Sequence, residues 1–204
     1  MIIRLGDYAL RTAIAQLRAW DAEGRRAVPV SVNVSAWQFQ RPEFIAEIEE
    51  ALRDAGVRPG LLKLELTEST VMDDVQAAVH KMARLKQLGV RISLDDFGTG
   101  YSALGYLRNL PIDEVKIDQS FVRDITNDSY AATLCRAIIA MSQQLHFTVV
   151  AEGVETPAQA ELLRAAGCQL LQGFLYSKAV AASDFGALLA RGMRWSPDGR
   201  PVPN

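Results

Sequence analysis

Histidine and cysteine are nearly missing from this chain. Its 204 residues contain two of each, His80 and His146, Cys135 and Cys168. That scarcity argues against a zinc centre built from His and Cys, and against a Ser-His-Asp triad. The cysteines lie far apart with no metal-type spacing, which fits a reduced, cytoplasmic setting rather than a disulfide scaffold. Excess charge of either sign is missing too. The formal net charge is −2, without the basic surplus of a groove for polymeric nucleic acid. No run is long and apolar enough to span a bilayer, so no direct membrane contact is expected. The opening residues, Met1-Ile2-Ile3-Arg4-Leu5-Gly6, lack a signal-peptide pattern. Fixed-period repeats, low-complexity tracts and internal linkers are also absent. What is plentiful is apolar side chain, at 49% of residues, enough to bury the full core of one domain.

The apolar residues are patterned. Leu10, Ala13, Ile14, Leu17 and Trp20 recur at helical spacing, predicting a helix over 7–21 that Gly24 stops. Val30, Val32 and Val34 alternate with Ser31, Asn33 and Ser35, predicting a strand over 28–35. Pro42 opens a helix whose inner face is Phe44, Ile45, Ile48 and Leu52. A strand over 61–67 follows, then a helix opened by Asp73-Asp74 with Val75, Ala78, Val79, Met82 and Leu85 inside. Further strands are expected at 90–96, 114–118, 147–151 and 170–175. Between them fall a short element over 103–107 and a longer helix with Leu134, Ala137, Ile138, Met141 and Leu145 inside. A third helix is capped by Thr156 and Gln159 and buries Leu162, Leu163 and Ala166. A short helix over 184–190 closes the domain at 1–190, and 191–204 reads as a tail of loop or disorder.

Alternating strands and helices imply a parallel sheet with crossover connections. An open doubly wound sheet would want nearly all-apolar strands. Here one side of each strand carries polar groups near its C-terminal end. A (β/α)8 barrel of the TIM type places such groups at its mouth, where active sites lie. The barrel is the favoured architecture, and the open sheet is its competitor.

The polar strand ends carry the chemistry. Asp95-Asp96 ends an apolar run and is followed by Phe97-Gly98-Thr99-Gly100. Neighbouring carboxylates are costly to bury without compensation. Other strand ends add Asn33, Glu65, Lys116, Asp118, Glu152 and Gln172. Taken singly, each has an ordinary structural explanation as a cap, a pair or a solvated side chain. Taken together at one barrel mouth, the carboxylates would repel one another unless cations compensate them. An all-oxygen donor set selects hard ions, Mg²⁺ or Mn²⁺, with Ca²⁺ as a further option. Adjacent carboxylates can serve two ions, the usual arrangement for phosphoester hydrolysis. Lys116 would orient the attacking water or neutralise developing charge. Glu68, in a turn beside Thr67 and Ser69, would anchor a neighbouring loop.

Six ordered runs then resemble the EAL domain family of bacterial cyclic di-GMP phosphodiesterases. They are Val32-Asn33-Val34-Ser35, Glu65-Leu66-Thr67-Glu68-Ser69, Asp95-Asp96-Phe97-Gly98-Thr99-Gly100-Tyr101-Ser102, Lys116-Ile117-Asp118, Ala151-Glu152-Gly153-Val154-Glu155 and Gln172-Gly173-Phe174. The resemblance implies that Asn33, Glu65, Asp95 and Glu152 ligate metal and that Asp96 serves a second ion. It makes Lys116, Glu152 and Gln172 catalytic. Glu68 would position the loop after Asp96, and Asp118 and Glu155 would line the site or contact substrate. The implied reaction opens cyclic di-GMP to linear pGpG. The implied setting is a homodimer in the cytoplasm, behind an upstream GGDEF or sensor domain in a parent protein for which a membrane anchor stays open.

The chain departs from the family pattern in places. The Glu-Ala-Leu motif and its strand are absent, and Ser177-Lys178-Ala179 stands where Ser-Arg-Pro is usual. Ala103 and Gly105 replace commoner serines. Six predicted strands fall short of the eight in a closed barrel. The expectation is therefore an EAL-type barrel lacking its first two strands, with exposed edges at 28–35 and 170–175 and weak or absent hydrolysis by the fragment. A non-catalytic sensor of cyclic di-GMP is the alternative. Enolase-type proton abstraction, which also uses acidic strand ends and a lysine, is a third reading.

Overall fold

The computed structural model describes residues 2–24, 28–99, 104–191, 194–195 and 201–202. By contacts, the chain divides into two compact units. The first comprises 1–94 and 102–113, the second 95–101 and 114–204.

The first unit opens with α1 (Ile2–Ala22), which buries Leu10, Ile14, Leu17 and Trp20 along one stripe. Strand β1 (Val30–Asn33) runs parallel to β2 (Leu62–Thr67), in a register that sets Val30 against Leu62 and Asn33 against Glu65. Between them lie α2 (Ala36–Gln40) and α3 (Phe44–Ala55). Helix α2 was not evident from periodicity, because five residues make barely more than one turn. It is built by a capping box, in which the Ser35 hydroxyl accepts from the Gln38 amide and the Gln38 side chain reaches back. Buried Gln38 also donates to Asp7, 3.2 Å away, tying α2 to α1. Helix α3 ends at Gly56, whose φ of 65° is left-handed.

After β2 come α4 (Glu68–Met72), capped by Thr67, and α5 (Val75–Gln87), capped by Asp74. Ala78, Met82 and Leu85 bury beneath α5. Strand β3 (Arg91–Phe97) is divided between the units after Leu94. The first unit closes with α6 (Leu104–Leu107) and with Asp113, whose carboxylate accepts from the Ile92 amide at 2.8 Å.

In the second unit the strands follow in chain order. They are the end of β3, then β4 (Glu114–Ile117), β5 (Thr148–Ala151) and β6 (Leu170–Leu171). Strands β4, β5 and β6 are parallel, with Ile117 opposite Ala151 and Ala151 opposite Leu171. The connecting helices are α7 (Gln119–Arg123), α8 (Ser129–Gln144) and α9 (Pro157–Ala165), and α10 (Ala182–Arg191) follows β6.

Four readings are corrected by the structure. Helix α8 buries Ala131, Cys135, Ile138, Ile139 and Ser142. Only Ile138 of the expected inner face is among them. Apolar residues surround this helix, so periodicity alone picks no unique stripe. Leu162 is exposed while its neighbour Leu163 is fully buried, since adjacent helical residues point about 100° apart. The last strand is two residues long, not six, because after Gln172 the chain turns, with Tyr176 N–H donating to the Gly173 carbonyl at 3.1 Å. In the tail, β7 (Arg194–Trp195) pairs antiparallel with β8 (Pro201–Val202), where loop or disorder is the sequence reading. Ala103, Gly100, Tyr101 and Ser102 lie outside the described residues.

Candidate active site

Parallel register brings the second unit's polar residues to one end of its sheet. Lys116 lies one residue before the paired Ile117, and Glu152 and Gln172 lie one residue after the paired Ala151 and Leu171. Hydrogen bonds beyond the ladder extend this alignment. The Glu152 amide donates to the Ile117 carbonyl at 3.2 Å, and the Gln172 amide to the Ala151 carbonyl at 2.9 Å. The next residues lock the two loops together. Val154 N–H donates to the Gln172 carbonyl at 3.0 Å, and Leu175 N–H to the Val154 carbonyl at 3.0 Å. Gly173 packs directly on this backbone. A Cβ there would sit 2.7 Å from the Val154 carbonyl carbon and closer still to its N and O atoms. Only glycine permits that approach.

The charged groups converge within this frame. Lys116 is 4% exposed. Its Nζ lies 2.8 Å from Glu152 Oε1 and 3.1 Å from Asp95 Oδ1. Gln172 Nε2 donates to Glu152 Oε1 at 3.3 Å. Carboxylate oxygens of Asp95, Asp96 and Glu152 lie within 4.8 Å of one another, close enough to hold a metal ion. Asp96 turns the chain with a left-handed φ of 55°, uncommon for a residue with a Cβ. Its amide donates to the Asp95 carboxylate at 3.0 Å, and Thr99 Oγ1 donates to its carbonyl at 2.8 Å. Burial, and then the negative charges of Asp95 and Asp118, push the Asp96 carboxyl above its ordinary pKa, while Lys116 pulls the other way. Like charge crowded around a half-buried carboxylate suits a compensating cation, and the all-oxygen donors suit a hard one.

An EAL domain model matches residues 1–179. The chain belongs to the EAL domain family.

The chain is 44% identical over 178 residues to the cyclic di-GMP phosphodiesterase NbdA of Pseudomonas aeruginosa, covering 87% of this chain and 23% of NbdA. It is 41% identical over 190 residues to MucR of the same organism, a bifunctional diguanylate cyclase/cyclic di-GMP phosphodiesterase, covering 93% of this chain and 28% of MucR. The chain thus spans about a quarter of the length of these curated relatives. The solved PaMucR phosphodiesterase in complex with cyclic di-GMP superimposes with a TM-score of 0.87 at 41% identity, over 90% of this chain and 74% of that one. The EAL domain of Mycobacterium smegmatis DcpA superimposes with a TM-score of 0.90 at 38% identity, over 94% of this chain and 86% of that one. The fold class is α/β of the TIM-barrel type, with six strands in its main sheet among the described residues.

The remaining site residues of this EAL domain fall in different places. Asn33 and Glu65, in the first unit, sit opposite each other, Asn33 exposed at the end of β1 and Glu65 buried within β2. Glu68 opens α4 and is buried. Asp118 caps α7, accepting from the Ser120 amide at 2.9 Å and from the Ser120 hydroxyl. Glu155 is exposed, and its backbone amide donates to Gln159 Oε1 at 2.8 Å. Sequence reasoning missed the role of Gly173 and of Gly153, whose φ is 68° and whose added Cβ would lie 2.6 Å from Gln119 Cβ. A glycine directly after each of two polar strand ends was the available signal. No described helix is long and apolar enough to cross a membrane.

Proposed function

We propose that this chain belongs to an enzyme that hydrolyses one phosphodiester of cyclic di-GMP to linear pGpG, using two divalent cations, Mg²⁺ or Mn²⁺, and that the chain by itself does so only weakly. The observation that carries this reading is the convergence of Asp95, Asp96 and Glu152 beside the Lys116 ammonium. Asp95, Asp96 and Glu152 would hold the ions, and the family resemblance adds Asn33 and Glu65 to the ligand set. Bound divalent cations supply a nucleophilic water at neutral pH and neutralise phosphate charge.

The chain's own groups do the rest. Lys116, itself buried, holds a fixed positive charge where the phosphate gains negative charge. Gln172 keeps Glu152 oriented through its amide. Water oxygen bonds to phosphorus and the bond from phosphorus to the ribose 3′ oxygen breaks, leaving a 5′ phosphate and a 3′ hydroxyl. Glu68 supports the loop after Asp96, and Asp118 and Glu155 face substrate or brace the site. A homodimer and an upstream GGDEF or sensor domain complete the reading.

The test is to incubate purified chain with cyclic di-GMP and Mn²⁺ and to resolve the products by chromatography. Accumulation of pGpG that EDTA abolishes is the expected result. Tight dinucleotide binding without pGpG would overturn hydrolysis in favour of a sensor.

A further inference from the structure

Gln159 makes more of its side chain than helix capping requires. It is 6% exposed. Its Oε1 accepts from the Glu155 amide at 2.8 Å and from the Thr156 amide at 2.9 Å, closing the capping box of α9. A capping box needs only that oxygen. The other end of the amide points elsewhere. Gln159 Nε2 donates to the Val122 carbonyl at 3.2 Å and to the Arg123 carbonyl at 3.2 Å, both at the end of α7. One side chain therefore joins the segment after Glu152 to the helix that follows Lys116-Ile117-Asp118.

Two further contacts join the same segments. Gly153, directly after Glu152, lies so close to Gln119 that a Cβ would fall 2.6 Å from Gln119 Cβ. Helix α7 also supports the loop after Asp96. A Cβ on Gly98 would lie 3.1 Å from Phe121 Cε2. The five residues of α7 thus touch both acidic loops of the site. The Glu152 amide donates to the Ile117 carbonyl, so the backbone that carries Glu152 leads directly from the strand of Lys116 into the segment that Gln159 ties to α7.

We propose that Gln159 is a positioning residue, whose amide nitrogen ties the 152–155 segment to α7 and so holds Glu152 against Lys116. Its importance for turnover rests on the hydrolytic reading above, whereas the tether itself does not.

Gln159→Glu separates the two functions. A glutamate still accepts from the Glu155 and Thr156 amides, as capping boxes commonly use it. Ionised, it cannot donate, and it sets a carboxylate against two carbonyl oxygens, so exchange is read at pH 8 or above. Hydrogen–deuterium exchange of the whole 204-residue chain reads the outcome by segment. The expected result is at least tenfold faster exchange across 152–155, with the interior of α9 as protected as in the parent. Unchanged exchange across 152–155 would overturn the tether. Should α9 loosen as well, the exchange of α7 decides. The tether ends on the Val122 and Arg123 carbonyls, so Gln159→Glu must also speed exchange across 119–125. Exchange there at the parent rate would overturn the proposal. Kinetics then read the catalytic consequence. In a chain that produces pGpG, Gln159→Glu lowers kcat at least tenfold with KM within twofold. A kcat equal to the parent's would show that the anchor does not position Glu152. A parent chain that yields no pGpG would count against the hydrolytic reading, and the exchange result would still decide the tether.

Discussion

A lysine held between two carboxylates is answerable to charge before packing. Lys116 contacts both Asp95 and Glu152, and all three lie at strand ends. Lys116→Ala should lower turnover of cyclic di-GMP by on the order of 10²–10³, the range for losing one preorganised electrostatic group. Affinity for the dinucleotide should change far less, because the lost interaction strengthens only as charge develops. Steady-state kinetics beside equilibrium binding checks this. Normal turnover with a lowered Tm would instead make the lysine a structural residue. Asp95→Asn is the matching change on the acidic side. It keeps shape but removes one charge from the group of Asp95, Asp96 and Glu152. Calorimetric titration with Mn²⁺ should show weaker binding, and turnover should fall by orders of magnitude. Mn²⁺ affinity equal to the parent's would remove Asp95 from the ligand set.

Elements place these residues, and glycines decide how closely their loops approach. Gly173→Ala would drive a methyl into the Val154 backbone, which cannot move without breaking its hydrogen bonds to Gln172 and Leu175. The expected cost is about 1–3 kcal/mol, as for other overpacked sites. Thermal denaturation checks it, and an unchanged Tm would show that the two loops can separate freely. Legibility from sequence divides along the same lines. The strands announced themselves because Val30–Asn33, Leu62–Thr67 and Arg91–Phe97 alternate or run apolar between turn residues. The candidate site stood out in the sequence because acids, two amides and a lysine recur at strand ends. Helices α2, α4 and α7 were not, because each is five residues long and owes its start to a single cap, Ser35, Thr67 or Asp118. The buried face of α8 was misread because Leu134, Cys135, Ala137, Ile138 and Ile139 offer apolar groups all round. Asp118 shows the limit from the other direction. Its cap to Ser120 is a local bond that no strand-end pattern reveals.

At the scale of the whole chain, the division into two compact units raises the question of whether they unfold together. Strand β3 belongs to both, with Leu94 ending one portion and Asp95 beginning the next. Unfolding either unit alone would require one continuous strand to fray in its middle, between Leu94 and Asp95. A single cooperative transition is therefore expected. The chain carries separate probes for the two units. Trp20 is buried in the first unit, and Cys135 and Cys168 are buried in the second. Burial pushes both thiols up from an ordinary 9.0 to about 11, so few are thiolates near neutral pH. The thiolate is the nucleophile, so alkylation must await opening of the second unit. The same shift favours the folded, protonated form below pH 9 and loses that contribution as pH rises from 9 towards 11. Urea titration at pH 8, following Trp20 fluorescence with Trp37 and Trp195 replaced by phenylalanine, should give one midpoint. Alkylation of both cysteines should become rapid at that same urea concentration. Thiols that react well below the fluorescence midpoint would show that the second unit opens by itself, and β3 would then not couple the two.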